Sequence, residues 1–78
     1  MFHFVYSDQE KTYLAEGYGA CPTTGYSIQV NELYETEHTI YIHTSLMGPE
    51  VSEETKEITT FPYIVVEISG TEKEVMFD

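Results

Sequence analysis

The chain contains no tryptophan and no arginine, a single cysteine, and only three lysines among 78 residues. Each scarcity excludes something. Without arginine there is no planar fork for a phosphate, and fourteen acids against three lysines leave a formal charge of −11, which repels nucleic-acid backbones and anionic lipid. Nucleic acid is therefore excluded as a partner class. Cys21 has no second cysteine to pair with, so stability must come from packing, and the oxidising compartment of disulfide-rich miniproteins is unsupported. The longest uninterrupted apolar run is Tyr63 to Val66, far short of the roughly 20 residues of a membrane-spanning helix, so membrane insertion is not expected. The first residues, Met1 to Asp8, lack the cationic start, apolar stretch and small-residue cleavage site of a secretory signal. The expected compartment is cytoplasmic unless an upstream segment was removed, and a chain that opens directly in strand-like alternation is consistent with such a removal. A chain this short buries only about 60% of the surface its unfolded form exposes, so residues 1–78 are read as one domain with one small core. Oligomerisation is one route to further stability, and a homo-oligomer stays open.

What is present is β-forming. Threonine, valine, isoleucine, tyrosine and phenylalanine supply 33 of the 78 residues, which favours sheet over helix. Phe2, Phe4 and Tyr6 alternate with His3 and Val5, Ser7 to Glu10 reads as a turn, and Lys11 to Gly17 resumes a strand, giving a first hairpin. Gly17 to Gly25 packs three glycines and a proline into nine residues and reads as a long, shaped loop. From Tyr26 the alternation is clean, with Tyr26, Ile28 and Val30 on one face, until Leu33 breaks the parity. That break predicts a bulge near Asn31 or Glu32, or a strand passing between sheets. Ile40, Ile42 and Leu46 then oppose Thr39, Tyr41, His43 and Ser45, completing a second hairpin. Gly48-Pro49 ends it, and residues 50–57 carry a cap and first-turn acids but no apolar face, so one short helical turn or a loop is expected there. Tyr63 to Ser69, the most apolar strand, reads as central; Gly70 to Glu72 turns it and Lys73 to Phe77 returns. The expected fold is all-β: a small immunoglobulin-like β-sandwich, or a partly open barrel, of about six antiparallel strands.

Chemistry is hard to find in this pattern. Cys21 would need a base and an electropositive setting to be a nucleophile, and the surrounding charge is negative. His38 and His43 differ in parity and would point to opposite sheet faces, and no Asp-x-Asp-x-Asp-Gly loop exists for calcium, so no metal site is assigned. Glu53, Glu54 and Glu57 sit where no desolvated, fixed setting is expected, which suits solubility better than acid–base work. Gly17-Tyr18-Gly19 lacks the third glycine and the lysine of a phosphate cradle. No catalytic residue and no cofactor is assigned, and the chain is read as not an enzyme. Among the tyrosines, Tyr6, Tyr13, Tyr34 and Tyr41 are read as sheet packing. Tyr18, Tyr26 and Tyr63 flank the breaker-rich loops and are the better interface candidates.

The stretch Gly17-Tyr18-Gly19-Ala20-Cys21-Pro22-Thr23-Thr24-Gly25-Tyr26-Ser27-Ile28-Gln29-Val30 resembles the C-terminal domain of the protease complex subunit PrcB and its small bacterial relatives. Leu33 to Glu37, Ile40-Tyr41-Ile42, Gly48-Pro49 and Phe61 to Val66 are similar to that family in order and spacing. The resemblance implies protein binding as a non-catalytic accessory of a protease complex. A more distant likeness is to chagasin-type inhibitors of cysteine proteases, immunoglobulin-like sandwiches that insert loops into the protease cleft. Pro22-Thr23-Thr24-Gly25-Tyr26 matches the core of their first loop motif, and Phe61-Pro62-Tyr63 sits where theirs has Arg-Pro-Trp. Cys21 replaces the asparagine that opens the first motif, and the third has no arginine.

A physical case for a binding edge stands beside these likenesses. Pro22 fixes φ, Gly25 can take φ > 0, and Thr23 and Thr24 can hydrogen-bond locally, so this loop is stiff and costs less to order on binding. A shaped turn with no partner would use the same residues. Cys21, Pro22, Thr23, Thr24, Gly25 and Tyr26, with Phe61, Pro62 and Tyr63, form the candidate contact edge. The expected partner is a protein, with a protease among the candidates; the alternatives are a loop-borne inhibitor and a self-associating structural domain. Loops converging at one end favour the first two, and an uncharged tyrosine-rich face or open edge strand favours the third.

Overall fold

Asp8 turns the first alternating stretch into a hairpin. Its Oδ1 accepts the backbone N–H groups of Glu10 at 2.8 Å and Lys11 at 2.7 Å, closing an Asx turn between β1 (Phe2–Ser7) and β2 (Lys11–Gly17). Thr36 does the same work with a hydroxyl: Thr39 N–H donates to Thr36 Oγ1 at 3.2 Å, and Thr36 N–H reaches Thr39 O at 2.8 Å. This closes β3 (Ser27–Glu35) on β4 (Thr39–Met47). The remaining strands are β5 (Tyr63–Ser69) and β6 (Glu74–Phe77). The computed structural model describes residues 1–78, and these six strands form two three-stranded sheets, ordered β1-β2-β5 and β3-β4-β6, with no helix and no closed barrel. With no helix present, none is long and apolar enough to cross a membrane.

The sheets stack into a sandwich because each strand's alternation gives it one inward set. Thr12, Leu14 and Glu16 of β2 face inward with Val66 and Ile68 of β5, and meet Ile40, Ile42 and Thr44 of β4 with Val30, Val75 and Phe77. Leu14, Ile40 and Ile42 are the buried apolar centre, each contributing about 1.5–3 kcal/mol by leaving water. That centre is thin: only 9 of the 78 residues are buried. The radius of gyration, 14.6 Å, exceeds the about 11–12 Å of a compact chain this long, and the extents are 43 × 20 × 18 Å. The molecule is a narrow slab with much surface for its core.

The parity break at Leu33 is a bulge. Register shifts between Val30 and Glu32, leaving Asn31 without a partner, and Leu33 comes into line with Ile42. Two details depart from the sequence reading, and one open alternative is settled. β5 is an edge strand and not the central one, because β2 lies between it and β1; its apolar residues serve two faces, Ile64, Val66 and Ile68 inward and Tyr63 and Val65 outward. β6 does not return beside β5 but crosses to the other sheet and pairs with β4 in parallel, Ile40 with Val75 and Ile42 with Phe77. Lys73 holds that crossing, its Nζ donating to Glu35 Oε2 at 3.0 Å and to Thr36 O at 2.8 Å. Residues 50–57 take the loop alternative: Glu53 N–H closes one turn on Glu50 O at 2.9 Å, and no helix follows. With Val51 and Ile58 both exposed, a helix there would have had nothing to bury.

Candidate functional site

The two segments singled out in the sequence meet at one end of the sandwich. Cys21 and Thr60 exchange backbone hydrogen bonds at 2.7 and 2.9 Å, forming an isolated antiparallel bridge. Thr24 N–H donates to Lys56 O at 3.0 Å, and Lys56 N–H returns to Thr24 Oγ1 at 2.9 Å. Thr60 Oγ1 donates to Thr23 O at 2.9 Å, and Tyr18 N–H reaches Pro62 O at 3.4 Å. Residues 18–26 are thereby stitched to residues 56–62. Gly25 allows the fit, having φ +92° and standing where a Cβ would collide with Pro49 and Glu53.

This stitching sorts the candidates. Cys21 is buried, so its thiol faces the interior and its backbone is what the fold uses. The hydroxyls of Thr23 and Thr24 are spent inside the loop, on Thr24 O and Lys56 N–H. Pro22 and Gly25 are exposed, and Pro62 is half-buried. Tyr26 is also half-buried, its ring against Gly48. Phe61 and Tyr63 are left as the exposed rings of this end. The histidines do not gather: His38 sits at the β3–β4 turn, His43 points out of β4, and His3 stacks on Phe77 with ring centres 4.4 Å apart. No three metal-ligating side chains cluster.

Sequence reasoning missed a buried polar link between the sheets. Thr44 Oγ1, on β4, donates to Glu16 Oε1, on β2. Its one proton being committed, Thr44 accepts from Tyr18 Oη at 2.6 Å. Glu16 and Thr44 are both buried, so this chain of hydroxyls pins β2, β4 and the start of the 18–26 loop. The only signal was parity: Glu16 follows Thr12 and Leu14 on the inward set, where an acid needs a partner.

It also missed a surface. Cross-strand register sets three outward rows on the first sheet: Phe2, Gly17 and Tyr63; Phe4, Ala15 and Val65; Tyr6, Tyr13 and Glu67. The exposures are 49% for Phe2, 57% for Phe4, 58% for Tyr6, 66% for Tyr63 and 53% for Val65. The Phe2 ring lies over Gly17, Phe2 and Phe4 stack at 6.5 Å, and Tyr6 leans on Tyr13 at 6.3 Å. Tyr6 was expected to be packed within a sheet; its ring does pair across strands, but outward, because β1 has no layer over it.

Comparison with known proteins gives one match. The family model for PrcB C-terminal matches residues 12–69. The chain belongs to the PrcB C-terminal family. No curated protein and no solved structure matches. The matched span runs from β2 through β5 and includes both segments of the stitched end, whereas β1 and β6 lie outside it. The PrcB C-terminal match therefore covers the central strands of both sheets and the loops between them. It carries no support for the chagasin likeness.

Proposed function

We propose that this chain is a non-catalytic protein-binding module associated with a protease complex, engaging its partner through the end of the sandwich where residues 18–26 meet residues 56–62. Membership of the PrcB C-terminal family supports the protease association. The observation that carries the binding role is the stitched end itself: two loops held by backbone and hydroxyl hydrogen bonds, presenting Phe61 and Tyr63 to solvent. Loops fixed before contact pay little ordering entropy, and exposed aromatic rings are the side chains that most often dominate an interface. The buried Cys21 fits a scaffold role better than a nucleophilic one.

The test is capture on the immobilised chain from the source lysate, with Phe61→Ala/Tyr63→Ala as the control. Both rings are exposed, so the variant should keep its circular dichroism. Recovery of a protease by the unaltered chain alone is the expected result, with affinity falling by about 2 kcal/mol or more in the variant. Equal recovery by both would remove this end from the reading. Assaying the captured protease separates an accessory from an inhibitor of the chagasin kind, since only the inhibitor suppresses turnover.

A further inference from the structure

A second surface calls for its own explanation. The outward rows of β1, β2 and β5 expose Phe2, Phe4, Tyr6, Tyr63 and Val65 on one continuous face, in a chain of net charge −11. We propose that this face is the contact surface of a homodimer, two copies stacking their β1-β2-β5 sheets about a twofold axis. Tyr63, with Phe61 at the rim, borders the loop end as well, so the test is placed on Phe4 and Val65, which the role assigned to the loop end does not use.

Four observations point to a second copy. The first is area: four half-exposed aromatics and a valine offer about 500 Å² of apolar surface, approaching the ~800 Å² per partner of a stable interface before Met1 and Phe61 at its rim are counted. The second is charge. Glu67 is the one acid in these rows, and Lys11 neutralises it at 3.2 Å, so the face has no net sign with which to select an oppositely charged partner. The third is shape: Ala15 is already covered and the Phe2 ring fills the space over Gly17, so neither small residue opens a gap in the outward rows. A sheet face whose small residues are filled over suits another sheet packed about 10 Å away more than an inserted side chain. An isologous contact supplies that second sheet from the same sequence. The fourth is the thin core, with 9 buried residues in 78, which a shared layer would enlarge.

The charge also fixes the sign of a test. Two chains at −11 repel each other through solvent, so a dimer held by this face tightens as salt rises, whereas a complex held by opposite charges weakens. Sedimentation velocity from about 1 μM to about 500 μM, in about 0.05 M and about 0.5 M salt, should show a monomer–dimer equilibrium shifting toward dimer with both concentration and salt. Phe4→Lys/Val65→Lys should raise the dissociation constant by more than about 30-fold. It should do so although the added lysines reduce the net charge and its repulsion. Gln29→Lys/Ser45→Lys, on the outer face of the other sheet, should leave the dimer intact. Circular dichroism of each variant checks the fold, and Phe4→Ala/Val65→Ala gives the milder form should the lysines disturb it. A wild-type chain that stays monomeric throughout overturns the proposal and leaves the face to a different protein or to another segment of a longer chain. A dimer that survives both face variants overturns it too, assigning association to a strand edge or a loop.

Discussion

The two outer faces of this sandwich come from the same alternating β pattern and end as different kinds of surface. On the β3-β4-β6 sheet the outward residues include Ser27, Gln29 and Glu32, Thr39, His43 and Ser45, and Glu74. Its two rings, Tyr34 and Tyr41, stack on each other at 5.1 Å, and the bulge residue Asn31 hydrogen-bonds to Ser45. On the β1-β2-β5 sheet the outward residues are rings and a valine, with one neutralised ion pair. The first face spreads its half-exposed Tyr34, Met47 and Met76 among polar groups that water satisfies. The second leaves apolar area in water at about 25 cal/mol per Å², and a sheet so made is half of a contact. The alternation says only that each strand has two faces; the composition of the outward set decides whether the molecule ends there.

The heaviest way to break this comparison is to remove the layer both sheets share. Leu14→Ala should cost about 2–5 kcal/mol in urea unfolding, because with so few buried residues no neighbour can refill the space. A cost under about 1 kcal/mol would mean that the sheets do not depend on this centre. Next comes the polar link across the layers. Thr44→Val keeps the shape but removes the proton given to Glu16 and the acceptor of Tyr18 Oη, stranding buried polar groups at about 1–3 kcal/mol. Thr44→Ser, which keeps the hydroxyl, should recover most of that loss. If valine were as stable as threonine, the link would be incidental.

A matched pair of ring deletions sharpens the contrast directly. Tyr34→Ala removes one half of a stacked pair on the polar face and should lower stability by about 0.5–1.5 kcal/mol without touching association. Phe4→Ala removes a ring that is more than half exposed, so it should weaken association more than it weakens the dilute monomer. Thermal unfolding at low concentration and sedimentation at high concentration read the two effects separately. Identical profiles for the two variants would erase the distinction between the faces.

Much of the fold was legible because it rests on local rules. The two hairpins follow from alternation and turn residues, and the bulge at Asn31 follows from Leu33 falling out of parity. The topology did not follow, because nothing local says that Glu74–Phe77 will add in parallel to β4 instead of folding back on β5. The same limit misplaced β5: an apolar strand reads as central when its outward half is assumed to be covered. At the loop end, stiffness was legible from Pro22 and Gly25 and the Thr23 hydroxyl bonds locally to Thr24 O, but the Thr24 hydroxyl accepting from Lys56 and the Thr60 hydroxyl donating to Thr23 O, each across more than thirty residues, were not legible. The Glu16–Thr44 link was invisible for the same reason, since its members are separated by 28 positions.

The finest difference lies between the two hairpin turns. Asp8 closes β1 on β2 with a carboxylate, while Thr36 closes β3 on β4 with a neutral hydroxyl. The backbone N–H of Glu10, then that of Lys11, holds the Asp8 carboxyl below its ordinary value of 3.8, the nearby Lys11 charge adding to the effect. A lowered folded-state value means that the stabilisation is full above 3.8 and fades as pH falls through the lowered value, when the protonated form prevails. On acidification the Glu10 and Lys11 amide resonances should therefore move in that window, while those of Thr36 and Thr39 stay still. Asp8→Asn keeps an acceptor oxygen for the same two N–H groups but cannot titrate, so it should hold the turn and abolish the shift. Equal acid responses in the variant and the unaltered chain would show that Asp8 is not what couples this hairpin, and with it the edge of the aromatic face, to pH.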